Sequence, residues 1–438
     1  MSQWMERDEL AAYIARQRWS GQGGEQVAIE SVHELPWLSD PASGVGVRFE
    51  LVQAGALFNV PLSYRQQPRE DLSYGFVGAT TLDGQVLYVY DAMHDPEARA
   101  LLLRGFSDTA DAPAGLAYER LEGFALEDPE SSVLLSAEQS NTSVIVGDAL
   151  VKFFRKLAPG RNPDIEIQAA LTRMGSEQIS PLLGWISAGD IDLAMAGVFE
   201  RSATDGWDTA RTSVRALQDD EVRAREAGGD YAGESERLGA TLAVVHREMR
   251  EALGTATWGA EDVSALVARF HARADTAVTM HENVAAFAPR ARDAYAALED
   301  AAPIEVQRVH GDFHLGQTLR TTNGWKIIDF EGEPAQPLED RVRLDAAARD
   351  VAGLLRSLDY AAHSVAIVNG IEDTAFIDDW VRRNRNAFLR GYGYEDSPAA
   401  AALLHAYEID KALYEVVYES NYRPDWVQIP LRALERLL

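Results

Sequence analysis

The stretch His310-Gly311-Asp312-Phe313-His314-Leu315-Gly316-Gln317, followed by Ile327-Ile328-Asp329-Phe330-Glu331, decides how this chain is read. An Asp stands five residues before an amide, and a second Asp follows 17 residues after the first, at the end of the apolar run Trp325-Lys326-Ile327-Ile328. Phosphoryl transfer from ATP calls for these residue types. Asp312 is suited to take the proton of an attacking hydroxyl; a carboxylate is a weak base, so its value lies in orienting the hydroxyl and accepting the proton late. The amide oxygen of Gln317 and the carboxylate of Asp329 are hard oxygen donors fit for Mg²⁺ on nucleotide phosphates. Asn323-Gly324 marks a hairpin turn between them. His314 reads either as a structural histidine bonded to backbone or as an acceptor-site residue. Glu331 and Glu333 read either as metal or substrate contacts or as solvated acids.

Working outward, a strand lysine is needed to hold the α and β phosphates, paired with a helix carboxylate. Leu150-Val151-Lys152-Phe153-Phe154 supplies the lysine, and Glu166, 14 residues on, supplies the carboxylate, in a helix capped near Asn162-Pro163-Asp164. A lysine among apolar β-formers is costly without a partner, although a snorkelling strand lysine is the alternative. The polar stretch Glu138-Gln139-Ser140-Asn141-Thr142-Ser143 reads as a turn whose hydroxyls and amides cover phosphates. Ala196 to Glu200, with Val198 and Glu200, reads as the hinge that bonds adenine. Protein kinases carry H-R-D-x-x-x-x-N and D-F-G at the corresponding places. His-Gly-Asp-x-x-x-x-Gln and Asp-Phe-Glu point instead to kinase-like phosphotransferases of small molecules.

The bulk numbers agree. The 438 residues exceed one compact core, and 46% apolar with 25% charged residues is ordinary globular composition. Net charge is −28, from 41 basic and 69 acidic residues; such a field disfavours nucleic acid and anionic lipid as partners. No cysteine is present, which excludes disulfides, thiolate metal sites and cysteine nucleophiles. The charged N-terminus and the lack of a long apolar run lead to the expectation of a cytoplasmic, membrane-free protein, with a monomer favoured. Residues 1–90 are expected to form a β-rich cap, 91–200 a nucleotide-binding lobe, and 201–438 a helical lobe with the catalytic loop, metal and acceptor site. The expected fold class is α+β, a bilobal eukaryotic-kinase-like fold with that cap. Long helices are expected at Tyr231–Leu253, within Gly259–Glu299, at Asp373–Leu389 and at Ser397–Tyr418.

Arg308 to Gln317 with Asp329-Phe330-Glu331-Gly332-Glu333-Pro334 resembles the maltokinase family of actinobacteria, within the aminoglycoside-phosphotransferase-like superfamily. The likeness extends to Lys152–Leu157, Asn162–Glu166, Asp205-Gly206-Trp207, and Tyr414–Glu419 with Arg423-Pro424. It implies ATP, Mg²⁺ and a sugar hydroxyl as acceptor. The chain departs from the family pattern at Gln17–Gly23 and again at Tyr418-Glu419-Ser420-Asn421-Tyr422-Arg423, where Y-E-A-R-N-R is expected. The resemblance assigns acceptor residues to the C-terminal helices. Loss of an Arg there, with Glu415, Glu419 and Asp410 kept, suits an amine-bearing sugar such as glucosamine, with Asn421 and Arg423 shaping the pocket. Trp426 either stacks on a sugar ring or seals the domain end. The alternatives are a maltokinase forming maltose 1-phosphate, an aminoglycoside phosphotransferase, and a non-catalytic nucleotide-binding regulator.

Overall fold

The computed structural model describes residues 7–21, 23–25, 27–107, 112–121, 123–135, 140–220, 230–299, 301–333, 336–371, 374–395 and 397–438. Cα packing divides the chain into two units, one of residues 1–166 with 180–201 and the other of 167–179 with 202–438. The first unit therefore holds the residues of the expected cap (1–90) together with those of the expected nucleotide lobe (91–200) other than 167–179.

The first unit opens with helix α1 (Arg7–Arg16), then strands β1 (Ser31–Glu34), β2 (Gly46–Ala54), β3 (Ala56–Arg65), β4 (Phe76–Leu82) and β5 (Gln85–Asp91). Helix α2 (Pro96–Leu103) follows, with β6 (Ala117–Arg120), β7 (Val133–Leu134), β8 (Asn141–Val146), β9 (Ala149–Phe154) and β10 (Lys156–Leu157). Helix α3 (Pro163–Met174) starts in this unit, which β11 (Leu182–Ala188) and β12 (Ile191–Val198) complete. Two antiparallel sheets result, ordered β1-β2-β3-β5-β4, with β10 added beside β3, and β6-β11-β12-β9-β8-β7. The run Val47, Phe49, Val52 on β2 and Phe58, Val60, Leu62 on β3 is buried throughout, which is why strict alternation fades in β2. Leu10, Tyr13 and Ile14 of α1 close that core. A polar knot joins the two sheets. Arg155 donates to both oxygens of Asp91 at 3.1 and 2.9 Å, the Tyr13 hydroxyl donates to Asp91 at 2.7 Å, and the Asn59 amide donates to the carbonyls of Phe154 and Leu193.

The second unit contains β13 (Thr204–Asp205), α4 (Gly206–Asp220), α5 (Ala232–Leu253), β14 (Thr255–Trp258), α6 (Ala260–Met280), α7 (Ala288–Ala296) and β15 (Ile304–Gln307). Then come β16 (Thr318–Thr321), β17 (Gly324–Ile327), α8 (Leu338–Arg341), α9 (Ala348–Asn369), α10 (Ala375–Tyr392), α11 (Pro398–Tyr422) and α12 (Gln428–Leu437). The expected helices are present, but α9 was not foreseen. It is buried at nearly every position from Ala348 to Ala366, so it has no polar stripe to give a helical period. Helices α5 and α10 pack through glycines: a Cβ at Gly239 would lie 2.2 Å from the Phe388 carbonyl, and one at Gly391 1.9 Å from that of Glu236. The expected turn at Asn323-Gly324 shifts by one residue, since Thr321 pairs with Gly324 across the hairpin and leaves Thr322-Asn323 as its tip. Among the described residues no helix is long and apolar enough to cross a membrane.

Candidate active site

The loop between β15 and β16 carries Asp312, and its backbone is held from α9. Asp350, 1% exposed, accepts the backbone N–H of His310 at 2.7 Å and of Gly311 at 2.9 Å, while the His246 ring lies 3.0 Å away. The Asp350 carboxyl sits below its usual range; burial works against this, but the His246 bond and charge, His310, and the Gly311 N–H outweigh it. The Ser357 hydroxyl accepts the Leu315 N–H at 3.0 Å. Residue 353 must be glycine-sized, because a Cβ there would lie 2.5 Å from the Phe313 carbonyl. His310 is buried, with its Nε2 3.0 Å from the Ile328 carbonyl and its ring against Phe313 and Phe330. This ties the loop of Asp312 to the strand end of Asp329.

Asp329 follows β17 with φ +66°, a left-handed conformation uncommon outside glycine and a mark of a constrained site. The Gln317 amide donates to its Oδ2 at 2.9 Å, so the two expected metal-binding residues are adjacent. Turning that amide about its last torsion puts an amide oxygen beside a carboxylate oxygen, a donor set that fits a hard divalent cation. His314 uses Nδ1 to accept the Gly316 N–H at 3.1 Å, and burial holds its pKa below normal. Glu331 is half-buried with its carboxylate 3.9 Å from Arg341.

Lys411 of α11 was missed in the sequence. Its ammonium lies 3.2 Å from Asp312 Oδ1, 3.5 Å from Glu333 Oε1 and 4.7 Å from the centre of the Tyr414 ring. Burial would raise the Asp312 pKa, but Lys411, His314 and His310 together hold it below the usual carboxylate range. A small cavity beside Asp312 is also lined by Glu333, Arg349, Asp410, Lys411 and Arg273. Asp410 Oδ2 accepts from Arg273 at 2.7 Å, and Oδ1 has no hydrogen-bond partner among the described residues. Burial, only partly countered by Arg273, raises its pKa. The single lysine of a helix that otherwise carries the acids Glu408, Asp410, Glu415 and Glu419 was the available signal.

The acceptor residues expected on α11 are otherwise engaged. Glu415 takes two bonds from Arg356, at 2.9 and 2.7 Å, on a buried guanidinium that also pairs with Asp359. Glu419 takes two from Arg423, at 2.9 and 2.6 Å, and one from the Tyr360 hydroxyl at 3.1 Å. Asn421 is exposed, and the half-buried Trp426 carries the Arg423 guanidinium 4.6 Å above its ring. The bonds from Arg356 and Tyr360 tie this end of α11 to α9.

In the first unit, Lys152 on β9 lies 3.5 Å from Asp164 in the first turn of α3. Asp164 thus stands beside the lysine, and the half-buried Glu166 follows two residues on in the same first turn. The polar stretch expected as a phosphate-covering turn is corrected in part. Glu138 and Gln139 fall outside the described residues, Ser140 is exposed, and Asn141, Thr142 and Ser143 belong to β8. Thr142 accepts from Arg155 Nε at 2.8 Å and Ser143 is fully buried, because the strand alternates its side chains across the sheet. At the end of β12, Val198 N–H donates to the Pro181 carbonyl at 2.9 Å, and Glu200 accepts from the Ser180 hydroxyl at 3.2 Å.

The second unit thus presents Asp312 on a loop held from α9, with an amide and a carboxylate side by side at Gln317 and Asp329, and the first unit carries a β-strand lysine beside a carboxylate. The phosphotransferase enzyme family profile matches residues 133–403, and that of the maltokinase N-terminal cap domain matches residues 13–95. The chain belongs to the phosphotransferase enzyme family, nucleotide-using enzymes with the kinase-like α+β fold. It is 31% identical over 363 residues to a glucosamine kinase from Streptacidiphilus jiangxiensis (77% of this chain, 79% of the relative). It is 30% identical over 326 residues to a glucosamine kinase from Mycolicibacterium smegmatis (69% and 79%). A solved glucosamine kinase in complex with glucosamine, ADP and inorganic phosphate is similar along 100% of this chain and 99% of its own, at 25% identity and TM-score 0.69. A second crystal form of a glucosamine kinase gives a TM-score of 0.72 over 98% and 99%.

Proposed function

We propose that this chain transfers the γ-phosphoryl group of ATP to the 6-hydroxyl of glucosamine. The observation that carries the reading is the loop His310–Gln317, whose backbone Asp350 holds at two N–H groups, in a chain similar over most of its length to enzymes named glucosamine kinase. The hydroxyl oxygen attacks the γ-phosphorus, the bond to the β-phosphate oxygen breaks, ADP leaves, and the hydroxyl proton passes to Asp312. Lys152, with the carboxylates Asp164 and Glu166 of the first turn of α3, is assigned to the α and β phosphates, and Gln317 with Asp329 to Mg²⁺. When bound, Mg²⁺ offsets charge on the phosphates.

Recognition of the sugar's ammonium is assigned to Asp410. An ammonium beside its free Oδ1 gains a charge-assisted bond that a neutral hydroxyl cannot match, a difference of about 1.5–3 kcal/mol, or roughly tenfold to a hundredfold in selectivity. The cap profile over residues 13–95 keeps maltose as the second reading. The test is an ADP-release panel of glucosamine, N-acetylglucosamine, glucose, maltose and an aminoglycoside, with wild type and Asp410→Asn. Glucosamine is expected to have the highest kcat/KM, and the asparagine variant to lose that preference. A maltose optimum would replace this reading with a maltokinase.

A further inference from the structure

We propose that Lys411 is a positioning residue for phosphoryl transfer: its ammonium holds the Asp312 carboxylate by Oδ1, ionised and fixed in direction, and leaves Oδ2 to receive the acceptor's proton. The inference rests on Asp312 being the base.

Among the described residues the only side-chain hydrogen bond on Asp312 comes from Lys411, at 3.2 Å. Without it the carboxylate would be free to rotate about its last torsion, and neither oxygen would have a set direction. Lys411 is itself confined. Glu333 Oε1 lies at 3.5 Å, and the Tyr414 ring lies below the ammonium, a cation–π arrangement that limits where the stem can swing. Burial lowers the lysine's pKa, but Asp312 and Glu333 outweigh it and hold the pKa above normal. Among the described residues the charged and titratable groups facing this pair are His310 and His314 on the loop, Glu333 after β17, Arg349 on α9, Tyr414 and Glu415 on α11, and, lining the same cavity, Arg269 and Arg273 on α6 with Tyr407 and Asp410 on α11. Arg349 is committed to Asp345 at 3.2 Å and approaches Glu333 only at 4.0 Å. Lys411 is therefore the cation that contacts the base directly.

The chemistry explains why a cation belongs there. A bare carboxylate next to a triphosphate repels it, and a carboxylate that becomes protonated cannot accept the acceptor's proton. One fixed ammonium offsets the first effect and opposes the second. An opposite charge at this range lowers a carboxylic acid's pKa by about 1–3 units, and removing it should return that interval.

The test uses the full chain with ATP, Mg²⁺ and glucosamine, following ADP release from pH 4.5 to 9 for wild type, Lys411→Met, Lys411→Arg and Asp312→Asn. In Lys411→Met, kcat should fall roughly tenfold to a hundredfold with the KM for ATP within a few-fold, and the acid limb of kcat/KM should climb by about 1–3 pH units. Lys411→Arg keeps the charge, so its acid limb should stay where wild type has it. A methionine variant that folds, as judged by circular dichroism, and keeps the wild-type acid limb overturns the proposal. Should that variant not fold, an arginine variant with a displaced acid limb overturns it instead. Full turnover in Asp312→Asn is a different failure: it removes the base assignment itself, whatever Lys411 does.

Discussion

Asp350→Ala is the most informative single perturbation of the loop. Asp350 is 1% exposed and accepts the N–H groups of His310 and Gly311 at 2.7 and 2.9 Å, with the His246 ring at 3.0 Å. Alanine leaves the His310 N–H and the His246 ring buried, and the Gly311 N–H part-buried, without this acceptor. Each costs about 1–3 kcal/mol, and breaking a buried charged arrangement by deleting one partner costs about 3–5 kcal/mol in total; the second figure is the better guide because the three losses overlap. A chain of two units need not unfold in one step, so a local measurement is preferable. Hydrogen exchange on a peptide covering residues 304–317 reads the loop itself. A loss of about 3 kcal/mol corresponds to roughly a hundredfold faster exchange, and turnover should fall at least as far because Asp312 rides on the same backbone. Asp350→Asn keeps one acceptor oxygen and should fall between. Exchange and turnover both within a few-fold of wild type would refute the idea that α9 holds the loop. The pH sign follows from the lowered pKa. Asp350 stabilises the fold fully above the unfolded-state value of about 3.9 and loses that contribution as pH falls through its lower folded value, so Asp350→Asn should flatten the acid unfolding curve in that window.

Asp312→Asn should retain ATP affinity while kcat falls roughly 10²–10⁴-fold, as loss of a general base does; a few-fold change would exclude the role. Asp329→Ala should abolish Mg²⁺-dependent ADP release, since a magnesium ion held by few protein ligands cannot spare one; an unaltered Mg²⁺ titration would cancel the assignment. Gly353→Ala, whose Cβ would lie 2.5 Å from the Phe313 carbonyl, should lower both melting temperature and kcat, and a wild-type melting curve would show that the contact relaxes freely. Glu415→Gln should destabilise by about 1–3 kcal/mol through Arg356, measured by urea unfolding, with little change in acceptor preference; a switch of preferred sugar would return Glu415 to the acceptor site.

The grouping of Asp312, Gln317 and Asp329 was legible in the sequence because they lie within 18 residues, on a loop and hairpin whose spacing local rules fix. Lys152 was legible for a similar reason, as a charge among β-formers on a short strand. What the sequence alone determined is thus the grouping of Asp312, Gln317 and Asp329 on one loop and hairpin, the absence of cysteine chemistry, and the order of β-rich then helical segments. Only the tertiary structure decided the rest. Asp350 and Lys411 reach the loop from 40 and 99 residues away, and no periodicity records a contact of that range. Glu415 and Glu419 looked available because their partners, Arg356 and Tyr360, lie on α9, a helix buried on all faces and so without the amphipathic signal that marks its neighbours. Thr142 and Ser143 looked like a loop by composition, yet the pairing of β8 with β9 outweighed that preference. A polar side chain's identity is written in the chain; whether it is spent on a neighbour or left for a substrate is settled only by what packs against it.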